Sequence, residues 1–306
     1  MPAPVDDPLW GDDAQLALYC CYELHYQSFE GVDDGWEWEP SLLAFRRRLE
    51  VAFERRLAEE VGAVLPHDDV AGALRQLVNH DGGPSLSGFM REAGTMEHLR
   101  EFAVHRSAYQ LKEADPHTWA IPRLRGGPKA ALIEIQMDEY GGGQEAAMHS
   151  TLFAATLDEL GLDSSYGAYL DFLPGTTLAT TNLISLFGLH RRWRGALAGH
   201  LAMFEATSVE PMSCYRDMLR RLGVGCEAQR FYDVHVEVDA HHEDVACRDL
   251  TAGLAAAEPA VASDIVFGAQ AMMLVEERFA RHLLGAWAAD RSSLLRPLPP
   301  VTAARP

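Results

Sequence analysis

The sequence predicts an all-α protein folded as a single helical bundle, and three observations lead to this prediction. Long stretches place apolar residues three and four positions apart, which is typical of helices with one buried face. Segments with the alternating pattern of β-strands are scarce, and no stretch between the helical segments has the composition of an interdomain linker. The 306 residues are 48% hydrophobic, which is enough to bury a large core.

The charge and the cysteines narrow the classes of partner and compartment. The formal net charge is −19, which argues against nucleic acid or an anionic membrane as a partner, because both require a basic surface. The acidic N-terminus has no apolar segment of a signal peptide, and no apolar run reaches the length of a membrane span. The five cysteines are odd in number and form no C-x-x-C pair, so we expect reduced thiols in a cytoplasmic protein.

The first helices are predicted at residues 13–29 and 41–62. Ser41 is a candidate N-cap of the second helix, and Gly62 is a candidate end. Residues 1–95 as a whole are expected to form auxiliary helices that pack on the core of the bundle.

The core helices are predicted within residues 96–290. A helix from residue 98 is expected to stop near Asp115, because Pro116 follows it. Residues 125–143 combine a turn, a helix and a glycine-rich break, and a helix is expected to resume over residues 144–161. The remaining predicted helices cover residues 180–189, 191–208 and 211–223, the segment around His235, and residues 258–287, and they are followed by a loose, proline-rich tail at 291–306.

The segment "FYDVHVEVDAHHED", residues 231–244, concentrates groups that bind metals. On a helix, Asp239 lies roughly 40° and His242 roughly 20° from the direction of His235, so these three side chains share one face. His241 points away from them, roughly 120° to one side. Three ligands from one helix cannot complete the coordination of a metal, so other helices must supply the rest.

Other helices carry acidic and imidazole groups on their apolar faces, where such groups are rare without a partner. Glu113 continues the apolar stripe of the helix that starts at residue 98, and Glu139 immediately precedes the glycines. His149 lies beside apolar residues in the resumed helix, and Glu145 is a competing carboxylate on the same face. Glu205 shares its face with alanines and a leucine; its alternative role is an ion pair with a nearby arginine.

Together these side chains form a set of four carboxylates and three imidazoles. Helical bundles build di-iron and di-manganese sites from such sets, and the absence of thiolates disfavours structural zinc. The predicted ligands are Glu113, Glu139, His149, Glu205, His235, Asp239 and His242.

This pattern resembles a known family, the heme-oxygenase-like diiron oxidases and oxygenases, also described as iron-containing redox enzymes. The resemblance covers roughly residues 97–287. It rests on the Glu-x9-His spacing of Glu139 and His149, on the His-x3-Asp-x2-His spacing that starts at His235, and on the contexts of Glu113 and Glu205.

The resemblance implies a seven-helix heme-oxygenase-like bundle that binds two iron ions instead of heme. It implies O₂ activation through a peroxo-diferric intermediate, with an external electron donor and a free amino acid or small amine as substrate in specialised metabolism. Relatives in this family either oxygenate nitrogen or cleave C–H bonds, giving desaturation or cyclisation. The extra carboxylate, Glu139 or Glu145, favours nitrogen chemistry, and a homodimer is expected. Manganese suits the same ligands.

Three alternatives stay open on the sequence alone. A true heme oxygenase would use His25 or His105 as its single axial ligand. A cofactor-free, thiaminase-like enzyme would need a nucleophilic cysteine such as Cys214 or Cys226. A non-enzymatic protein could use the same ligands only to bind a metal or a metabolite.

Overall fold

The computed structural model describes residues 7–64, 69–79 and 85–298, and this part of the chain contains helices, turns and loops but no β-strand. The predicted all-α class is therefore confirmed. The α-helices are α1 (Asp12–Glu23), α2 (Pro40–Val61), α3 (Val70–Val78), α4 (Leu86–Ala93), α5 (Met96–Gln110), α6 (Asp115–Thr118), α7 (Gly126–Glu139), α8 (His149–Glu159), α9 (Gly175–Leu189), α10 (Arg194–Ala206), α11 (Val209–Leu222), α12 (Cys226–Asp244), α13 (Gly253–Ala257) and α14 (Ala262–Trp287).

Helices α10 and α14 pack together at the centre of the bundle through two glycines. A Cβ atom added at Gly199 of α10 would lie 1.8 Å from the carbonyl oxygen of Ile265, and one added at Gly268 of α14 would lie 2.0 Å from that of Ala196. Any side chain at either position would collide with the backbone of the opposite helix. The glycines therefore permit a backbone-to-backbone approach that fixes how these two helices cross.

The N-terminal helices pack on this central part. Helix α1 packs against α9 and α2, and α4 packs against α11. Helix α3 packs against α14 and against the π-helical segment Val245–Ala252, which continues α12. The division at residue 95 into auxiliary and core helices stays a prediction.

Two predicted helices end earlier than their apolar periodicity indicates. Helix α1 stops at Glu23 and not at residue 29, because the backbone carbonyl of Glu23 accepts hydrogen bonds from the amides of Tyr26 and Ser28. Helix α5 stops at Gln110 and not near residue 115, because the chain turns and Ala114 takes a left-handed conformation with φ of 76°. Both ends are set by local turns that helical periodicity does not reveal.

The prediction of a loose tail is wrong for residues 291–298. The hydroxyl of Ser293 donates to Glu101 Oε2 over 2.6 Å, and the amide of Leu295 donates to the carbonyl of Phe172 over 2.9 Å. Ser293 and Leu294 are buried, so polar and apolar contacts both hold this segment on the bundle. Residues 299–306 lie outside the described residues.

The structure also bears on the expected thiols and on the length of the apolar segments. All five cysteines are free thiols. In the part of the chain that the structure describes, no single helix has both the length and the apolar character needed to cross a membrane; the pair His241–Ala257 and Pro259–Trp287, bent by 117°, meets that test only when its halves are combined.

The close approach of α10 and α14 predicts a contrast between two glycines of α14. Gly268→Ala should lower the free energy of unfolding by about 1–3 kcal/mol, because the new methyl group collides with the backbone of α10. Gly285→Ala should raise it by about 0.5–1 kcal/mol, because Gly285 is an exposed helical position and no atom of the described part of the chain lies within 4 Å of an added Cβ. Urea unfolding of both variants measures the difference; equal effects would contradict this packing.

Candidate metal centre

Four of the predicted ligands surround one buried point. Glu113, Glu139, His149 and His235 each offer one ligand atom, and these four atoms lie within 4.8 Å of one another. His149 Nδ1 is 2.8 Å from Glu139 Oε2, and His235 Nε2 is 3.7 Å from Glu113 Oε1. All four side chains are buried. Two carboxylates and two imidazoles at this spacing form a plausible shell for one metal ion.

A second group adjoins the first. Glu139, Glu205 and His242 also offer ligand atoms within 4.8 Å of one another. His242 Nδ1 lies 3.5 Å from Glu205 Oε2 and 3.8 Å from Glu139 Oε1. The side chain of Asp239 lies outside the described residues, so its place as a ligand stays a prediction.

Glu139 belongs to both groups, and its two carboxylate oxygens face different sides. Oε2 lies beside His149 of the first group, and Oε1 faces His242 of the second. A carboxylate placed in this way can bridge two metal ions. The geometry thus favours a dinuclear site over two unrelated mononuclear ones.

Three glycines place Glu139 opposite His149. Glu139 is the last residue of α7 and His149 the first of α8, and Gly141, Gly142 and Gly143 between them all have positive φ. A Cβ at Gly141 would also lie 2.4 Å from the backbone of Ala147. Only glycine tolerates this reversal readily, and the reversal turns the end of one helix toward the start of the next.

The turn after α5 separates two buried charges. Lys112 points toward α1, where its Nζ lies 2.5 Å from Glu23 Oε2. The next residue, Glu113, points the other way, toward His235. A helix that continues past residue 110 does not account for the position of Glu113, because α5 ends at Gln110. The turn after α5 brings Glu113 to the site.

Hydrogen bonds orient two of the imidazoles. His235 Nδ1 lies 2.7 Å from the carbonyl oxygen of Phe231, which fixes that nitrogen as the donor and leaves Nε2 facing the site. His242 Nε2 lies 3.1 Å from Asp138 Oδ2, which leaves Nδ1 facing Glu139 and Glu205. Supporting contacts of this kind are characteristic of metal-binding histidines.

The sequence pattern does not reveal the role of Asp138. It precedes Glu139 on α7 and therefore lies on a different face of that helix, where periodicity gives it no role. Its contact with His242 depends on how α7 and α12 lie side by side. The only sequence signal was the adjacent acidic pair itself.

Buried polar atoms at the site test whether it suits a metal. Glu113 Oε2, Glu139 Oε2, His149 Nδ1 and His242 Nδ1 are buried without a hydrogen-bond partner among the described residues. The short contact of His149 with Glu139 does not have the direction of a hydrogen bond. Unpaired polar atoms are costly to bury, and a cation coordinated by them removes that cost. The donor set of oxygen and imidazole nitrogen fits iron or manganese.

The mutual contacts also shift two pKa values. Burial raises the pKa of Glu139, but the imidazoles of His149, His235 and His242 outweigh it and lower the pKa to about 2. Burial lowers the pKa of His242, but Glu205, Asp138 and Glu139 outweigh it and raise the pKa to about 9. Without a cation, the site therefore holds an ionised Glu139 and a protonated His242 at neutral pH.

Several competing residues lie elsewhere. Glu145 is exposed in a short 3-10 turn before α8 and belongs to neither group. Arg192 and Arg194, which lie near Glu205 in the sequence, form ion pairs with Glu54 and Glu258. Glu205 is thus a member of the second group, as its apolar helix face indicated.

Comparisons with known proteins agree with this picture. A family model described as iron-containing redox enzyme matches residues 100–277. Nitrosourea synthase from Streptomyces achromogenes subsp. streptozoticus is 24% identical over 185 residues, which are 60% of this chain. The chain spans only 38% of the length of that relative.

The fold also has solved counterparts. Two crystal structures of a CADD-like protein of unknown function from Nostoc punctiforme PCC 73102 cover 76% and 77% of this chain and 96% of their own. Their TM-scores are 0.52 and 0.50, at 17% and 16% identity. At this identity the likeness supports the helical fold alone.

The membership of Glu139 in both groups predicts the stoichiometry of metal binding. Anaerobic titration of the metal-free protein with Fe(II) should give two ions per chain. Glu139→Gln should bind at most one ion tightly, because it removes one anionic oxygen from each side of the site. Glu145→Gln is the matched control and should still bind two, since Glu145 is exposed. The opposite assignment of the two glutamates would reverse this result.

The raised pKa of His242 predicts how metal binding depends on pH. His242 must lose its proton to bind a cation, so affinity should increase by about tenfold per pH unit up to about pH 9 and then level off. Titration with Mn(II) at a series of pH values measures this slope. Asp138→Asn removes one of the anions that raise the pKa, so its plateau should begin at a lower pH. An affinity that does not change below pH 9 would contradict the assignment.

Proposed function

This chain belongs to the iron-containing redox enzyme family, and from that membership we propose that it is an O₂-dependent non-heme diiron oxygenase. The substrate is a free amino acid or small amine, and the atom oxidised is a nitrogen. The observation that carries the proposal is the pair of buried ligand groups joined by the two oxygens of Glu139.

Two iron ions held by these residues would supply the electrons that reduce O₂ in the first turnover. The overall change inserts one oxygen atom into an N–H bond and releases the other as water. It consumes two electrons and two protons, so repeated turnover requires an external electron donor. Manganese fits the same ligands, and the experiment below compares the two metals.

The protein's own contribution is to bury the reaction and to position the reactants. The small cavity at the ligands is also lined by Tyr109, Leu201 and Phe204, which shield it from solvent. Charged groups interact more strongly in such surroundings than in water. Phe204 and Ser208 also line a larger neighbouring cavity, so the two cavities adjoin.

Two observations favour nitrogen over carbon as the site of oxidation. Glu139, which belongs to both ligand groups, is a candidate for the extra carboxylate that the family resemblance associates especially with N-oxygenating relatives. The curated relative is a nitrosourea synthase, whose named product contains an oxidised nitrogen. Both observations support nitrogen chemistry by likeness, and product analysis tests it directly.

The alternative enzymes have less support. His105, a candidate heme ligand, has Nδ1 2.6 Å from the hydroxyl of Thr177 and Nε2 2.9 Å from that of Ser293, so both ring nitrogens are engaged. His25 contacts Glu37 through Nδ1 and Arg46 through Nε2. Both side chains therefore have polar partners that heme binding would have to displace.

The cysteine alternative also lacks a suitable site. Cys214 is buried, and its sulfur accepts a hydrogen bond from Arg91 over 3.4 Å; Cys226 is exposed. Neither cysteine lines the two cavities near the ligands. A nucleophile must reach its substrate, and these thiols lie away from where a substrate would bind.

The decisive experiment is a single turnover. The protein is loaded with Fe(II), or with Mn(II) for comparison, without oxygen and is then mixed with isotopically labelled O₂ and a panel of amino acids and amines in a stopped-flow spectrometer. We expect a visible absorbance transient that decays faster with one substrate, and one labelled oxygen atom on a nitrogen of the product. Label on carbon or loss of hydrogen alone would contradict nitrogen oxidation, and no O₂ uptake would favour a non-enzymatic metal-binding protein.

Two histidines of α12 give matched variants for this experiment. His235→Ala should abolish both iron loading and product formation, because His235 is a buried ligand. His241→Ala should keep both, because His241 is exposed and contacts Glu134 on the surface. Wild-type turnover by His235→Ala would refute the site.

A further inference from the structure

A second cavity adjoins the metal centre. It has a volume of about 230 Å³ and shares Phe204 and Ser208 with the smaller cavity at the ligands. Ser85 at its rim is exposed, so the cavity reaches the protein surface. Pockets for drug-sized ligands begin at about 300 Å³, so this cavity suits a smaller molecule.

An ion pair of opposite charges lines this cavity. Arg106 of α5 donates from Nη1 and Nη2 to the two carboxylate oxygens of Glu276 of α14, over 2.9 and 2.7 Å. The guanidinium lies 4.4 Å from the ring centre of Phe279, which also lines the cavity. Tyr215, which lines the same cavity, also interacts with Arg106. A guanidinium has five N–H donors and the ion pair uses two, so donors remain on Arg106 that can bind a second carboxylate.

Two neutral side chains complete the wall. Gln110 Oε1 and Tyr232 Oη are buried and have no hydrogen-bond partner among the described residues. Both residues line the same cavity as the ion pair. Buried polar atoms are rarely left unpaired in folded proteins, so these two point to a polar ligand.

A mainly structural role explains this arrangement less well. Partly buried ion pairs contribute little net stability, because the loss of hydration offsets the attraction. An ion pair that served packing alone would not require two unpaired polar atoms beside it. A molecule that carries both a carboxylate and an ammonium group would use all four side chains.

We propose that this cavity binds the α-carboxylate and α-ammonium groups of a free amino acid. The carboxylate is held by Arg106, the ammonium group by Glu276 and Gln110, and the hydroxyl of Tyr232 donates to the carboxylate. The side chain of the amino acid then extends past Phe204 and Ser208 to the metal ligands. The inference rests on the proposed function in one respect. If the enzyme oxidises a nitrogen, this binding mode makes it a nitrogen of the amino-acid side chain.

The test measures binding without turnover. Calorimetry of the Fe(II)-loaded protein without oxygen compares lysine, ornithine and arginine with cadaverine, putrescine and agmatine, which lack only the carboxylate. We expect at least one amino acid to bind about tenfold or more tightly than its decarboxylated counterpart, since a charge-assisted hydrogen bond is lost. Equal affinities within all three pairs, or no binding of any amino acid, would overturn the proposal.

Variants separate binding from folding. Tyr232→Phe removes a hydroxyl that has no hydrogen-bond partner among the described residues, so it should leave thermal stability unchanged and weaken amino-acid binding by about tenfold. Tyr22→Phe changes another buried tyrosine, which lines neither cavity; it is the matched control and should bind like the wild type. Arg106→Lys keeps the positive charge but cannot form bidentate hydrogen bonds with a carboxylate. It should therefore reduce the preference for the amino acid over the amine. Wild-type binding by both Tyr232→Phe and Arg106→Lys would also overturn the proposal.

This test fails independently of the proposed function. O₂ consumption and product formation do not enter the binding measurement. Tight, Tyr232-dependent binding with no oxidised product would support the binding site for the α-carboxylate and α-ammonium groups and would reject the oxygenase. Nitrogen oxidation of an amine that binds as tightly as its amino acid would support the oxygenase and reject this binding site.

Discussion

The burial of charge at one point is the constraint on which this structure depends. Three carboxylates and three imidazoles from five parts of the chain share a volume that excludes solvent. Isolated charges in such surroundings would cost several kcal/mol each, so the groups must compensate one another or bind a cation. Several features meet this requirement. They are the backbone turns after α5 and α7, the orienting contacts of His235 and His242, and the shifted pKa values of Glu139 and His242.

Part of this arrangement could be predicted from the sequence, and the reason is helical periodicity. His235 and His242 share one face of α12, and Glu205 lies on the apolar face of α10, so their directions follow from spacing within one helix. Those predictions agree with the buried positions of all three side chains. The all-α class follows from the same regularity, repeated along the chain.

The rest depends on turns and on contacts between distant segments. The position of Glu139 between the two groups needs the reversal at three glycines, and Glu113 needs the left-handed Ala114, neither of which periodicity describes. The support of His242 by Asp138 joins residues 104 positions apart, and Arg106 meets Glu276 across 170 positions. Such pairings are set by how helices cross, and the crossing of two helices cannot be predicted from the periodicity of a single sequence.

The glycine contact between α10 and α14 has a consequence for substrate length. Glu205 at the ligands belongs to α10, and Glu276 in the larger cavity belongs to α14, six and eight residues beyond Gly199 and Gly268. Two backbones in direct contact can slide very little, so the span between the two acids is nearly constant. If the head group is held at Glu276, that span acts as a molecular ruler. It selects among homologous side chains by the number of methylene groups that place a nitrogen at the metals.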